Sequence, residues 1–433
     1  MPLNRICVAH KPFELFVAAV LLLSPASVGL SMRAPGATAV GSKSRGYVTT
    51  PGELERVAEK ASRGIEPYQA AVASIEYFAN GNSSAPNPSY WPYGTISGPQ
   101  QCDHHTLQPP FLGKGAPLIE AKAIVYNLTV DSRYAAEVRQ RLLELSSTSD
   151  YGGDRYSGGN QCILNLSWYV PSWIIAADLI ADYPEWTASD KRTFQTWLAN
   201  VVFKKANWAS EVRSNNWGTA GSATSAMIAD YLADSGMPLT DSRGAPLTPT
   251  EAYEKAKRRQ LDRMGGNSYM DNYNCHEPVG IRRDGGIPEE LARGSSGCDA
   301  KWIVDRDKSW TYTMTYLQGV VMQAELLLRR SDKSIYENMA PGGAGSLLRA
   351  ICFLLKNPND PSKSPAWKLS NDGATLEFAY RYYRDSVIGE ELGIGTGVRY
   401  IGGPSGQMLH FGTITHGFAP TENPGPPPTV QAP

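Results

Sequence analysis

The sequence predicts an all-α chain whose helical hairpins stack side by side and close into an (α/α) toroid or barrel. Three observations carry this expectation. Helix-period segments separated by Gly-, Pro- and Asn-rich loops fill most of the chain, and strand-like alternation is nearly absent. The segments are of two kinds, apolar with small residues or amphipathic, as inner and outer layers of a ring require. No stretch repeats at a fixed period, which excludes a consensus solenoid.

Taken in order, Thr50-Pro51-Gly52-Glu53 reads as a capping box with Pro at N1 and opens a helix through Ala61. Residues 65–78, 122–128 and 133–145 continue with helical spacing. Residues 167–181 are apolar almost all round, which predicts a buried helix. Thr187-Ala-Ser-Asp190 is a second capping box and starts a helix to Trp208. Residues 217–232, rich in Ala, Ser, Thr and Gly, read as a tightly packed inner helix. Residues 251–264, 309–330, 347–355 and 375–384 complete the set.

The chain has 433 residues, 42% hydrophobic and 19% charged, which excludes a disordered protein. Lys plus Arg number 41 and Asp plus Glu 42, so the chain lacks the excess of cations that nucleic-acid binding through phosphates needs. The 22 Tyr and 10 Trp suit either a large core or a groove lined by flat faces.

Residues 1–39 read as a cleaved signal peptide: Arg5 and Lys11, the apolar run 16–23, then Ala37-Thr38-Ala39. The run is too short to span a bilayer. The mature chain is then expected to be secreted or periplasmic, with no membrane contact and a net charge of -3. Residues 40–421 are expected as one domain and the Pro-rich residues 422–433 as a disordered tail. In an oxidising compartment Cys275 is expected to pair with Cys298 and Cys102 with Cys162, leaving Cys352 as a buried thiol. Asn82, Asn127 and Asn165 head glycosylation sequons.

Three segments concentrate chemistry. The first is Arg213-Ser-Asn215-Asn216-Trp217, before the small-residue helix; its amides either cap that helix or point into a cavity. The second runs from Tyr273-Asn-Cys-His276-Glu277 through Arg282, Arg283, Asp284, Glu289 and Glu290 to Arg293, with one of only six His in the chain. It is either a solvated loop or a site loop. The third holds Arg306, Tyr312 and Tyr316. The two Tyr share a helix face at i, i+4. Nearby positive charge lowers a phenol's pKa from about 10 and makes it a usable base.

With these elements the sequence resembles the alginate lyase superfamily, polysaccharide lyase family 38 and more distantly family 5. The resemblance covers roughly residues 115–335. It rests on Asn215-Asn216 before a small-residue helix, on Gly286-Ile-Pro-Glu-Glu-Leu-Ala-Arg293 as a G-x-P-x-E-x-x-R element, and on Tyr312 twelve residues before Ala324-Glu325. Family 5 places His after the Asn pair, where this chain has Trp217; a His role then falls to His276 or is absent. The resemblance implies β-elimination on a uronic acid polymer. Tyr312 would be base and acid. Asn216, with Arg293 or Arg306 and with His276 assisting, would neutralise the carboxylate. Asn215, Trp217, Arg283, Tyr316 and Glu289 would bind substrate.

A single Tyr serving both proton transfers implies syn geometry, hence β-mannuronate or β-1,4-glucuronan rather than α-guluronate. The partner expected is an anionic polysaccharide, met by a monomer without cofactor or metal, through cations gathered at Arg282, Arg283, Arg293 and Arg306. Tyr90, Trp91, Tyr93, Trp168, Tyr169 and Tyr380 to Tyr383 are candidate sugar platforms or core; His104-His105 are candidates at the mouth. The alternative is an (α/α)-barrel glycoside hydrolase, which needs two opposed carboxylates from Asp271, Glu277, Asp284, Glu289 and Glu290. A glycan-binding protein with an inactive site is the third possibility.

Overall fold

A computed structural model describes residues 44–100, 109–152, 161–265, 280–291, 306–339, 345–356, 369–395, 399–404, 407–422 and 425. Its helices, in order, are α1 (Pro51–Ser62), α2 (Tyr68–Ala79), α3 (Pro110–Gly113), α4 (Gly115–Thr129), α5 (Ser132–Ser146), α6 (Gln161–Leu179), α7 (Ala188–Trp197) and α8 (Lys204–Val212). Then follow α9 (Asn216–Leu232), α10 (Pro249–Gly265), α11 (Pro288–Leu291), α12 (Arg306–Arg329), α13 (Ser346–Lys356), α14 (Leu369–Tyr383), α15 (Ser386–Glu391) and α16 (Gly412–His416). A π-helical segment, Leu198–Phe203, joins α7 to α8. The only strands among the described residues are two-residue pairs.

The ring closes through an unbroken circuit of neighbours: α2 on α4, α4 on α6, α6 on α9, α9 on α12, α12 on α14, α14 on α16, and α16 back on α2. The other long helices pack outside it. The fold is an (α/α) toroid, as the sequence predicts. Composition explains the layers. Nearly every residue of α4, α6 and α9 is buried, whereas α1 buries only Leu54 and Ala61. α6 is long and apolar enough to cross a membrane, although no such run was expected after the leader; it is buried inside the ring instead. The small residues of α9 let its neighbours approach: a Cβ on Gly319 of α12 would sit 2.6 Å from the backbone of Thr219.

Both capping boxes start helices, with a difference. At Thr187 both halves form. At Thr50 the hydroxyl accepts from the Glu53 N–H, but the Glu53 carboxylate turns inward to pair with Arg329 at 2.9 Å. Arg329, fully buried, also pairs with Glu325 at 2.7 Å. Glu325 in turn lies 3.1 Å from His416. This network ties α1, α12 and α16 together. A second network surrounds the N-terminal strap. Asp178 accepts from Ser44 and from the backbone of Arg45 and Gly46, and Asp230 pairs with both Arg45 (2.9 Å) and Arg330 (2.8 Å). Contacts with the body run on to Glu422, whose carboxylate pairs with Lys60 at 2.6 Å.

Cys352 is disulfide-bonded, not the thiol expected, and so is Cys162; their partners, and the expected Cys275–Cys298 bridge, lie outside the described residues. Of the sequons only Asn82 is exposed. Asn165 is buried in α6, and the Asn127 amide donates to Ala123 and Leu179 carbonyls.

One buried group predicts a pH effect. Glu120 of α4 is fully buried near Ser172, and desolvation pushes its carboxyl up to about 8. A folded-state pKa above the unfolded value supplies stability present below the unfolded pKa and lost as pH rises to the folded one. Glu120→Gln is therefore expected to unfold at higher denaturant concentration than wild type near pH 8, by about 2 kcal/mol or more, and to differ little at pH 4. Denaturant titration at both pH values checks this; a gap that does not widen with pH rejects it.

Candidate active site

Register places the N-termini of α6, α9 and α12 at one end of the ring. Thr224 donates to the Ser167 carbonyl while Arg45 joins the Asp178 and Asp230 ends, so α6 and α9 run parallel. Thr219 meets Gly319 while Asp230 meets Arg330, so α9 and α12 do too. The start of α9, carrying Asn216, and the N-terminal part of α12, where Tyr312 is the seventh residue, therefore lie toward the same mouth.

Between α8 and α9 the chain makes a sharp corner. Asn215 is the N-cap of α9, its side-chain oxygen accepting from the Trp217 N–H at 3.1 Å. The cap reading of this amide thus holds. Asn216, 1% exposed, is the first helical residue, and its N–H donates to the carboxylate of Glu290. The Arg213 guanidinium lies 5.3 Å from the Trp208 ring and 5.6 Å from the half-buried Trp217 ring. Beneath the corner Arg263 of α10 donates twice to the Arg213 carbonyl, at 3.1 and 3.0 Å, and also reaches Ser210, Ser222 and Gln260. A Cβ on Gly218 would lie 1.9 Å from that carbonyl, so no side chain fits there.

On α12 Tyr312 is half-buried at the open end. Tyr316, one turn deeper, is 1% exposed, so its ring packs in the wall and offers no open face to a sugar. Burial raises the Tyr316 hydroxyl above its ordinary value; Arg263 opposes this, and Glu290 and Glu289 add to it. These charges therefore surround Tyr316. Both Glu289 and Glu290 are buried on α11. They are neighbours in one short helix, not carboxylates facing each other across a cleft.

Arg282 and Arg283 are exposed on the loop leading to α11, with Arg282 3.9 Å from Asp284. His276, Arg293, Asp271, Glu277 and the His104-His105 pair lie outside the described residues. Arg306 opens α12, but its side chain also lies outside them. Of the aromatic candidates, Trp168 and Trp91 are half-buried. Trp91 makes edge contacts with Tyr93 and Trp173 and covers the start of α4. The Tyr380–Tyr383 rings are half-buried and pack against the core: Tyr382 stacks on Tyr336 at 4.1 Å and Tyr380 on Phe418 at 5.6 Å.

Sequence reasoning missed Glu290 as a partner of Asn216, and Arg263 altogether. The G-x-P-x-E-x-x-R element contains Glu290, so a signal existed there. Nothing in the α10 sequence marks Arg263 out.

No family model matches this sequence, and no curated relative matches it. Among solved structures the chain is similar to an alginate lyase from Bacteroides ovatus, at 14% identity over 80% of this chain and 94% of that one, with a TM-score of 0.51. It is also similar to a variant of alginate lyase A1-III complexed with a tetrasaccharide, at 14% identity, 87% of this chain and 98% of that one, TM-score 0.53. An apo form of the same lyase, from Sphingomonas species A1, gives 15% identity, 87% and 98% coverage and a TM-score of 0.52. At such identity the likeness is one of fold.

Proposed function

We propose that this chain is a polysaccharide lyase that cleaves a β-1,4-linked uronic acid polymer, β-glucuronan or mannuronate-type alginate, by syn β-elimination. The observation that carries this reading is the pairing of the Asn215–Asn216 corner with the Tyr312 turn at one mouth of a toroid shared with alginate lyases.

The chemistry requires two things. The C5 proton of a uronate is hardly acidic while its carboxylate is charged, so donors must neutralise that carboxylate in the bound state. We assign this to Asn216, with Arg293 or Arg306 supplying the positive charge and His276 assisting. A base must then take the C5 proton. Tyr312 fills that role: its oxygen takes the proton, the C5–H bonding pair becomes the C4–C5 double bond, and the C4–O4 bond breaks with its pair leaving on O4. The same phenol returns the proton to O4. One residue serves both atoms only if H5 and O4 lie on one face of the sugar, which holds for β-mannuronate and β-glucuronate. Trp217 and the exposed Arg283 border the path of the polymer. The chain acts as a secreted or periplasmic monomer after loss of residues 1–39.

Glu289 and Glu290, neighbours on α11, do not by themselves supply the carboxylates on both sides of the scissile bond that hydrolysis needs. The test is an absorbance assay for the unsaturated product on poly-β-mannuronate, β-1,4-glucuronan and polyguluronate. Absorbance is expected to rise on one or both of the first two and to lag on the third. Equal rates on guluronate reject the syn mechanism. Reducing ends formed without absorbance identify a hydrolase.

A further inference from the structure

We propose that Glu290 is the positioning residue of this site, holding the Asn216 corner of α9 at a fixed distance from the Tyr312 turn of α12; this rests on the lyase reading above. Glu290 has 0% exposure and sits on α11, which packs directly on α12. Its carboxylate accepts the backbone N–H of Asn216, 74 residues away in sequence. Burying a carboxylate is costly unless it is paired. Here the N-terminal dipole of a 17-residue helix and a direct N–H bond compensate it.

Capping alone does not call for this charge. Asn215 already caps the Trp217 N–H, and a neutral acceptor would satisfy the buried Asn216 N–H as well. What the charge adds is a link between elements. The corner is gripped from the α10 side by the two Arg263 bonds to the Arg213 carbonyl. It is gripped from the α11 side by Glu290. The arginine and the carboxylate thus hold the start of α9 from α10 and from α11, and α11 is itself packed on α12. Elimination requires the amide donor and the phenol to address C5 and its carboxylate together, and a displacement of about 1 Å can cost about 100-fold in rate.

The experiment compares wild type with Glu290→Ala, Glu290→Gln and Glu290→Asp on whichever polyuronate the wild type cleaves. The Ala variant is expected to lose about 100-fold in kcat with KM changed less than about threefold. Gln keeps an acceptor oxygen at the same reach and is expected to recover at least about tenfold of that loss. A merely structural role lowers the melting temperature without producing that kcat-selective pattern or its rescue. If the Ala variant does not fold, Asp decides: it keeps the charge but withdraws it by one methylene, and is expected to lose about tenfold or more in kcat while folded. A folded Ala or Asp variant with wild-type kcat, or a loss confined to KM, overturns the positioning role. Wild type that cleaves while Glu290 variants are indifferent rejects this inference alone. Wild type that gives no unsaturated product on any polyuronate rejects the lyase reading, and the positioning role falls with it.

Discussion

Tyr312→Phe is expected to reduce formation of the unsaturated product by about 10³-fold while leaving polymer binding within a few-fold of wild type. The substitution removes one oxygen from a half-buried ring at the mouth of the toroid and leaves the ring itself. Phe has similar volume, so the packing of the ring is kept. What disappears is the only group in the proposed mechanism that both takes and returns a proton. Initial rates by absorbance, with binding measured separately by calorimetry on an oligouronate, separate the two effects. Turnover close to wild type would refute the role of Tyr312. Loss of binding equal to the loss of rate would make it a binding residue.

Asp230→Asn is expected to destabilise the fold by about 3–5 kcal/mol, the range for removing one partner of a buried ionic network. Asp230 alone serves two guanidiniums, those of Arg45 and Arg330, each with a side chain about nine-tenths buried. Asparagine keeps the shape and removes the charge, leaving Arg330 without its carboxylate and Arg45 with Asp234 alone. The pH dependence follows with a definite sign. Desolvation works to raise the Asp230 carboxyl, but hydrogen bonds and charge from Arg330 and Arg45 win and hold it down to about 2. A depressed carboxylate pKa gives stability that is present above the unfolded value and is lost as pH falls through the folded one. Wild type should therefore lose this contribution between about pH 4 and pH 2, whereas the variant has none to lose there. Chemical denaturation at pH 7 and pH 3 tests both points; a variant as stable as wild type at pH 7 would show that the strap is held by other contacts.

Helix positions were legible because their signals are local. The Thr187 box, the small-residue run of α9 and the apolar run of α6 each declare themselves within a few residues. The departures have physical causes. Pro171 sits inside α6, where its lost N–H is tolerated, and the helix begins at Gln161 rather than near residue 167. The short helices α3, α11, α15 and α16 are too brief to show a period. Yet α16 closes the ring, and α11 brings Glu290 to Asn216.

The candidate site divides in the same way. Asn215, Asn216 and Tyr312 stood out in the sequence because adjacent amides before a small-residue helix, and a Tyr at the head of a long one, are visible patterns. Glu53 looked like half of a capping box but pairs across the ring with Arg329, because a buried guanidinium attracts a carboxylate more strongly than one backbone N–H does.

The sequence by itself determined that this chain is all-helical, that α6 and α9 are buried, and which corner carries the amides. Period, side-chain size and capping act over one or two turns, so they are written locally. Only the tertiary structure decided how the ring closes, that Asp230 and Arg329 each anchor an ionic network at the C-terminal ends of α9 and α12, and that Glu290 and Arg263 hold the corner. Those pairings join residues far apart in the chain, and charge complementarity at a distance leaves no mark in the spacing of either partner.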